Sequence, residues 1–148
     1  MARTDSRARA LTGTAIVLAT MLLPGCTQSS IDGLQAFDRA QIAQDELPQV
    51  VVDAYAEAEN SGGLDLSTSR FVGSVKKVDY YVSMDADRSG YCLFIFQSAQ
   101  SWGGACSDGA GLTTELGDVA EARLSPGGIL PNDDQTWVRL EDVIVRPI

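Results

Sequence analysis

Apolar residues recur at helical spacing soon after residue 30. Four of them, each three positions after the one before, have polar residues between them: Ile31, Leu34, Phe37 and Ala40. This spacing places them on one face of a helix. Ser29 or Ser30 can cap the start of that helix through its hydroxyl oxygen. We therefore predict a first helix from residue 31 to about residue 44.

A second helix is predicted after a bend at Leu47-Pro48. A residue before proline is disfavoured in the α region, which interrupts the first helix. Asp45 suits a helix N-cap, and a proline in the first turn removes only an amide that lacks a helical partner. Although the β-branched run Val50–Val52 favours a strand, apolar residues continue on one helical stripe. We predict a helix over 48–60, ended by Gly62-Gly63.

The pattern changes to that of strands from Ser69 onwards. Segments rich in Val, Ile, Tyr and Phe are separated by short polar breaks, at 70–78, 79–84, 91–97, 102–107, 119–124 and 136–145. Such segments are typical of strands joined by tight turns. The predicted fold class is α+β, with one antiparallel sheet of about five or six strands and one or two N-terminal helices packed on one face.

The first 25 residues have the pattern of a secretory signal. Arg3, Arg7 and Arg9 precede a mainly apolar run over residues 11–23. A basic start followed by roughly 7–15 apolar residues is typical of such signals, and the run is shorter than the about 20 residues of a spanning helix. We expect residues 1–25 to be absent from the mature protein.

The end of this run resembles the lipobox of bacterial lipoproteins. Leu23, Pro24 and Gly25 occupy the three positions before Cys26. The resemblance implies cleavage between Gly25 and Cys26, a diacylglycerol on Cys26, and attachment to the extracytoplasmic side of the cell membrane. Two or more acyl chains hold a protein stably, since each buried CH₂ contributes about 0.8 kcal/mol. The alternative is an ordinary secretory signal with an incidental cysteine.

Cleavage at this point would leave 123 of the 148 residues. We assign residues 26–30 to the lipidated cysteine and a polar tether, and residues 31–148 to a single small α+β domain. Eight basic and nineteen acidic residues give this part a formal charge of −11. That charge argues against nucleic acid as a partner and against contact with an anionic bilayer surface. We interpret it as a solubility feature; the alternative is a surface for a cation or a basic partner.

Cys92 and Cys106 form an even pair once Cys26 is assigned to lipid. In an exported protein the expected state of such a pair is a disulfide. If strands 91–97 and 102–107 form a hairpin that turns near Ala99, the two cysteines lie directly opposite each other. The chain contains no histidine, so no imidazole is present to activate a catalytic cysteine. We predict no metal site and no cofactor, because two cysteines are too few for a zinc site.

The segment Asp85–Gly90 matches the first half of a calcium-binding loop. The match ends at the twelfth position, where Phe96 stands in place of a bidentate carboxylate. Because Asp, Ser and Gly also favour tight turns, we interpret the segment as a hairpin turn. The neighbouring acids Asp133 and Asp134 are interpreted in the same way.

The mature part is similar to small uncharacterised lipoproteins of high-GC Gram-positive bacteria. The similarity rests on short elements: Asp45-Glu46-Leu47-Pro48, Ser69-Arg70, Cys92-Leu93, Ala105-Cys106-Ser107 and Trp137. It implies a fold type and carries no activity with it.

No catalytic motif is found in the sequence, so we expect a membrane-anchored, non-catalytic binding or accessory module with a surface protein as partner. The alternative is a small surface hydrolase that uses Asp or Glu side chains from the 85–90 and 131–134 loops. A weaker alternative is a divalent cation bound at the Asp85–Ser89 turn.

Overall fold

A computed structural model of the chain describes residues 34–58, 62–108, 111–127, 129–131 and 136–148. The predicted signal peptide, the lipidation site and the tether lie outside these ranges. Within them the chain forms two 3₁₀ turns (Gln35–Asp38 and Ala43–Asp45), one helix and eight strands. These are α1 (Gln49–Glu57), β1 (Leu64–Val75), β2 (Val78–Asp85), β3 (Tyr91–Ser98), β4 (Ser101–Ser107), β5 (Thr113–Leu116), β6 (Ala120–Leu124), β7 (Val138–Leu140) and β8 (Val143–Pro147).

The strands form two antiparallel sheets of four strands each. The first sheet has the order β1-β2-β3-β4, and the second has the order β5-β6-β8-β7. The prediction of one sheet of five or six strands is therefore wrong, and the fold is mostly β. Gly103 in β4 supplies a physical reason, because a Cβ built there would lie 3.1 Å from the carbonyl oxygen of Glu115 in β5. The bare glycine lets β5 cross closely over β4 instead of extending its sheet.

The main core lies between the two sheets. Val72, Val82 and Ile95 point into it from the first sheet, and Ala122 and Val145 from the second. These residues alternate with others that face outward, as the period of two in a strand requires. The molecule thus gains its stability mainly from sheet-on-sheet burial.

The other face of the first sheet is covered by α1. Val51 of this helix is fully buried against Tyr81 and Phe94, and the Tyr55 and Phe94 rings meet edge to face at 5.3 Å. The prediction of a helix over 48–60 is confirmed in its core. The resulting order of layers is helix, first sheet, second sheet.

The predicted first helix is replaced by the two 3₁₀ turns and an extended link between them. Leu34 and Ala36 belong to the core between the sheets, whereas the chain from Arg39 to Asp45 runs beside β1 and bonds to its backbone. A continuous helix would not reach both places. Of the spaced apolar residues that the structure describes, Leu34 is buried, Phe37 is half-buried and Ala40 is exposed, so their spacing does not mark one buried helical face.

Two strand predictions also change. The predicted strand over 136–145 is the β7–β8 hairpin, which turns at Glu141 with a positive φ of 49°. Strand β1 begins at Leu64 and not at residue 70, and β5 is an additional strand.

The predicted Cys92–Cys106 disulfide is present, with an S–S distance of 2.03 Å and a Cα–Cα distance of 4.0 Å. The two cysteines face each other across the β3–β4 hairpin, in the predicted register. They lie on the helix-covered face of the first sheet, where Cys92 is buried beside Phe94. Phe94 also covers Gly104 on the neighbouring strand, since a Cβ there would lie 2.4 Å from its ring.

Candidate functional site

Several residues singled out in the sequence lie outside the described ranges. These are Gly25 and Cys26 of the lipobox and the acids Asp133 and Asp134. In the described part of the chain, the search for helices long and apolar enough to cross a membrane finds none.

The Asp85–Gly90 segment forms a closed turn between β2 and β3. The Ser89 N–H donates to Asp87 Oδ1 (2.9 Å), and the Ser89 hydroxyl lies 3.1 Å from Asp85 Oδ2. Arg88 pairs with Asp65 at 2.6 Å across the end of the first sheet. These carboxylates serve the turn, and no cluster of three metal-ligating side chains occurs among the described residues.

The buried acid Asp45 closes the open edge of β1. Arg39 binds its carboxylate with both terminal nitrogens, at 2.5 and 2.7 Å. The same pair also bonds the main chain of Phe71, whose N–H donates to Asp45 Oδ1 and whose carbonyl accepts from Arg39, both at 2.9 Å. Burial raises the pKa of Asp45, but hydrogen bonds from Arg39 and from the Ile42 and Phe71 amides outweigh this and lower the pKa to about 2. The ion pair therefore bonds main-chain groups of Phe71 that a further strand at this edge would otherwise bond.

A second buried acid, Glu121, lies on the outer face of the second sheet. Arg123 donates to its carboxylate at 2.7 Å, and Arg146 pairs with the other oxygen. The two guanidiniums lie over the ring of Trp137, with Cζ-to-centroid distances of 4.6 and 5.1 Å. Burial raises the pKa of Glu121, and the bonds from the two arginines reverse this and lower it. Both carboxylate oxygens of Glu121 are thus paired within this cluster.

A third buried acid, Asp142, fixes two loops. Its carboxylate accepts hydrogen bonds from the Ala36 amide at 3.3 Å and the Gly127 amide at 3.0 Å. The three buried acids are thus occupied by structural contacts, and none of them lies in the groove described next.

An open groove lies between α1 and the first half of β1, and we call it the α1–β1 groove. Its wider lobe has a volume of about 450 Å³ and is lined by Gln41, Glu46, Leu47, Gln49, Val52, Leu66, Ser67 and Ser69. A smaller lobe of about 180 Å³ continues from it and is lined by Val52, Tyr55, Ala56, Gly63, Leu64 and Leu66. The two lobes meet at Val52 and Leu66. Cavities of several hundred Å³ with apolar walls and a few polar groups are typical of ligand sites.

The groove exists because β1 bulges away from its partner strand. Asp65 pairs with Met84 and Arg70 pairs with Val82, so four residues of β1 lie opposite Ser83 alone. The bulge turns Leu66 outward, and this side chain is 44% exposed. Bulges often re-aim a side chain towards a binding region in this way.

Hydrogen bonds within the domain hold the bulge in place. The side-chain amide of Gln41 donates to the Leu66 carbonyl at 2.8 Å and to the Ser69 hydroxyl at 2.8 Å. That hydroxyl lies 2.6 Å from the Asp45 carbonyl, while the Met84 amide donates to Thr68 Oγ1 at 2.8 Å. The wall of the groove is therefore preformed, which lowers the entropic cost of binding.

Sequence reasoning placed no site here. Leu66 is followed by the polar run Ser67-Thr68-Ser69, which is typical of a loop. The available signal was the alternation Leu64-Asp65-Leu66, which is typical of a strand with Leu64 and Leu66 on one face.

The described part of this chain thus defines a small, mostly β domain of three layers with a preformed surface groove and a disulfide. It matches no protein family, no curated protein and no solved structure.

Proposed function

We propose that this chain is a membrane-anchored extracytoplasmic lipoprotein that acts as a non-catalytic binding or accessory module. Its membrane contact is the lipid on Cys26, and its binding site is the α1–β1 groove. The partner is a protein at the cell surface.

The groove is the observation that carries the binding role. It is open and preformed, with the half-buried Val52 and the exposed Leu66 presenting apolar surface beside polar residues such as Gln41 and Glu46. An exposed apolar surface of this kind favours partner binding. Among the described residues, the buried acids Asp45, Glu121 and Asp142 are engaged in structural contacts and lie outside the groove. Their placement favours a binding role over the hydrolase alternative.

The anchor is tested by expressing the full chain and its Cys26→Ala variant in a Gram-positive host with labelled palmitate. The full chain is expected to carry the label and to sediment with membranes. The variant is expected to carry none. Label in both proteins, or in neither, would contradict the anchor.

The binding role is tested by placing a photoreactive residue in the groove at Gln49, in otherwise full-length protein on intact cells. A matched position on the outer face of the second sheet is Glu115, which is also exposed and polar. Irradiation is expected to yield a discrete adduct from Gln49 and none from Glu115. Equal adducts at the two positions, or none at Gln49, would remove the groove as the site.

A further inference from the structure

We propose that the α1–β1 groove binds a positively charged segment of a polypeptide through the apolar side chains of that segment. This inference rests on the proposed binding role and adds the chemistry of the partner.

The charge of the partner follows from the acids around the groove. Residues 40–69 contain six acidic residues and no basic one. Asp45 and Asp65 are paired with Arg39 and Arg88, at 2.5 and 2.6 Å. The three other described acids of this segment make no salt bridge within the described ranges: Glu46, Asp53 and Glu57. Glu46 lines the groove, and Asp53 and Glu57 are exposed elsewhere on the adjoining helix α1. The charge in and near the groove is therefore negative, and lysine or arginine side chains complement it.

The apolar part of the partner follows from the floor of the groove. Leu66 is 44% exposed at the junction of the two lobes. Val52 and Tyr55 of α1 line the opposite side. Covering this surface favours a ligand with apolar groups in both lobes, because the apolar area removed from water drives binding. A polypeptide segment with spaced apolar side chains supplies two such groups on one chain.

The manner of binding follows from the closed edge of β1. A partner strand would need free main-chain groups there, but Phe71 is already bonded by the Arg39–Asp45 pair. In the bulge, the Leu66 carbonyl accepts from Gln41 and the Ser67 carbonyl accepts from Arg70. We therefore expect recognition through side chains seated in the groove and not through strand addition.

The test is a fluorescence anisotropy titration of the full chain, in detergent, with three labelled synthetic peptides. One contains Leu and Lys, one contains Leu and Glu, and one contains Ser and Lys. The Leu/Lys peptide is expected to bind most tightly, and added salt is expected to weaken its binding. We expect Leu66→Ser to lower its affinity about tenfold and Glu46→Gln about fivefold.

Two control variants separate the groove from general attraction to an acidic protein. Ile129→Ser removes an apolar side chain that is 75% exposed and lies outside the groove. Glu115→Gln removes an exposed acid on the second sheet. Both are expected to bind the Leu/Lys peptide as the parent does, and circular dichroism is expected to show all four variants folded.

Four outcomes would overturn the inference. Equal affinity for the Leu/Glu peptide would remove the charge requirement, and equal affinity for the Ser/Lys peptide would remove the apolar requirement. Equal losses of affinity for the Leu/Lys peptide in Glu115→Gln and Glu46→Gln would show that the net charge of the protein, and not the groove, attracts the peptide. If no peptide binds while Gln49 still forms its adduct on cells, this inference fails and the proposed function stands.

Discussion

The two outer faces of this molecule differ in whether their large apolar side chains are covered. On the second sheet, Trp137 is only 6% exposed, because the guanidiniums of Arg123 and Arg146 lie over it and Glu121 pairs with both. On the first sheet, α1 covers part of the face and leaves the α1–β1 groove open beside it, with Leu66 exposed at its centre. On one face neighbouring side chains cover the large apolar ring, and on the other a large apolar side chain stays exposed.

The difference indicates that the outer face of the second sheet contributes to stability, whereas the α1–β1 groove is available for binding. A buried carboxylate paired with two guanidiniums over a buried indole contributes to folding, and its loss costs folding free energy. An exposed apolar side chain in a preformed groove contributes little to folding and is available for contact. The predictions below test this division in order of expected effect.

The largest effect is expected for Trp137→Ala on the outer face of the second sheet. Removing a buried indole that two guanidiniums contact should lower the free energy of unfolding by about 3 kcal/mol. Leu66→Ser in the α1–β1 groove should change it by less than about 0.5 kcal/mol. Urea denaturation monitored by circular dichroism measures both. A comparable loss in the two variants would contradict the division.

The disulfide is expected to stabilise the first sheet by about 3 kcal/mol, the value for a closed loop of about 15 residues. The double variant Cys92→Ala/Cys106→Ala should therefore unfold at a clearly lower urea concentration. Because the disulfide lies beneath α1 and far from Trp137 in the layer order, the effect of combining this variant with Trp137→Ala should be additive. Strong non-additivity would show that the two faces are coupled.

Acid should destabilise the edge of β1 beside the groove. The folded-state pKa of Asp45 is lowered to about 2, below the ordinary value near 3.9 of an unfolded chain. Its contribution of about 2 kcal/mol is therefore fully present above about pH 4 and is lost as the pH falls through about 2. We expect Asp45→Asn to be less stable than the parent at neutral pH and to lose less stability between pH 4 and 2. Parallel pH profiles of the two proteins would contradict the role of Asp45.

The smallest expected effect is a gain at the β1–β2 turn, which belongs to neither face. Lys76 and Lys77 have positive φ angles of 51° and 65°, and a two-residue turn of this kind favours Asn-Gly. The double variant Lys76→Asn/Lys77→Gly should raise the free energy of unfolding by about 1 kcal/mol and leave peptide affinity unchanged. Lys77→Ala, which keeps a Cβ, is the control and should give no gain.

Local sequence chemistry predicted the local parts of the fold. The turn near Ala99 fixed the register that places Cys92 opposite Cys106, since both depend on residues close in the chain. The core of α1 was predicted from a stripe of apolar residues ending at a pair of glycines.

The parts that depend on distant contacts were not predictable from these patterns. The division into two sheets depends on how β5 crosses Gly103, and strand periodicity is the same for one sheet or two. The first helix was wrong because spacing of three residues cannot distinguish a helix from a segment that links the core to the edge of β1. The groove depends on Gln41 holding a bulge some 25 residues away in sequence, which no local motif signals.

The most direct test of the account is an amide NMR titration of the folded protein with the Leu/Lys peptide. The account predicts that shift changes are concentrated at Gln49, Val52, Leu66 and Ser67, and that Glu121, Arg123 and Trp137 do not respond. Leu66→Ser should reduce the changes at the same peptide concentration, in line with its lower affinity. Changes centred on the outer face of the second sheet would contradict the central claim that the α1–β1 groove is the binding face.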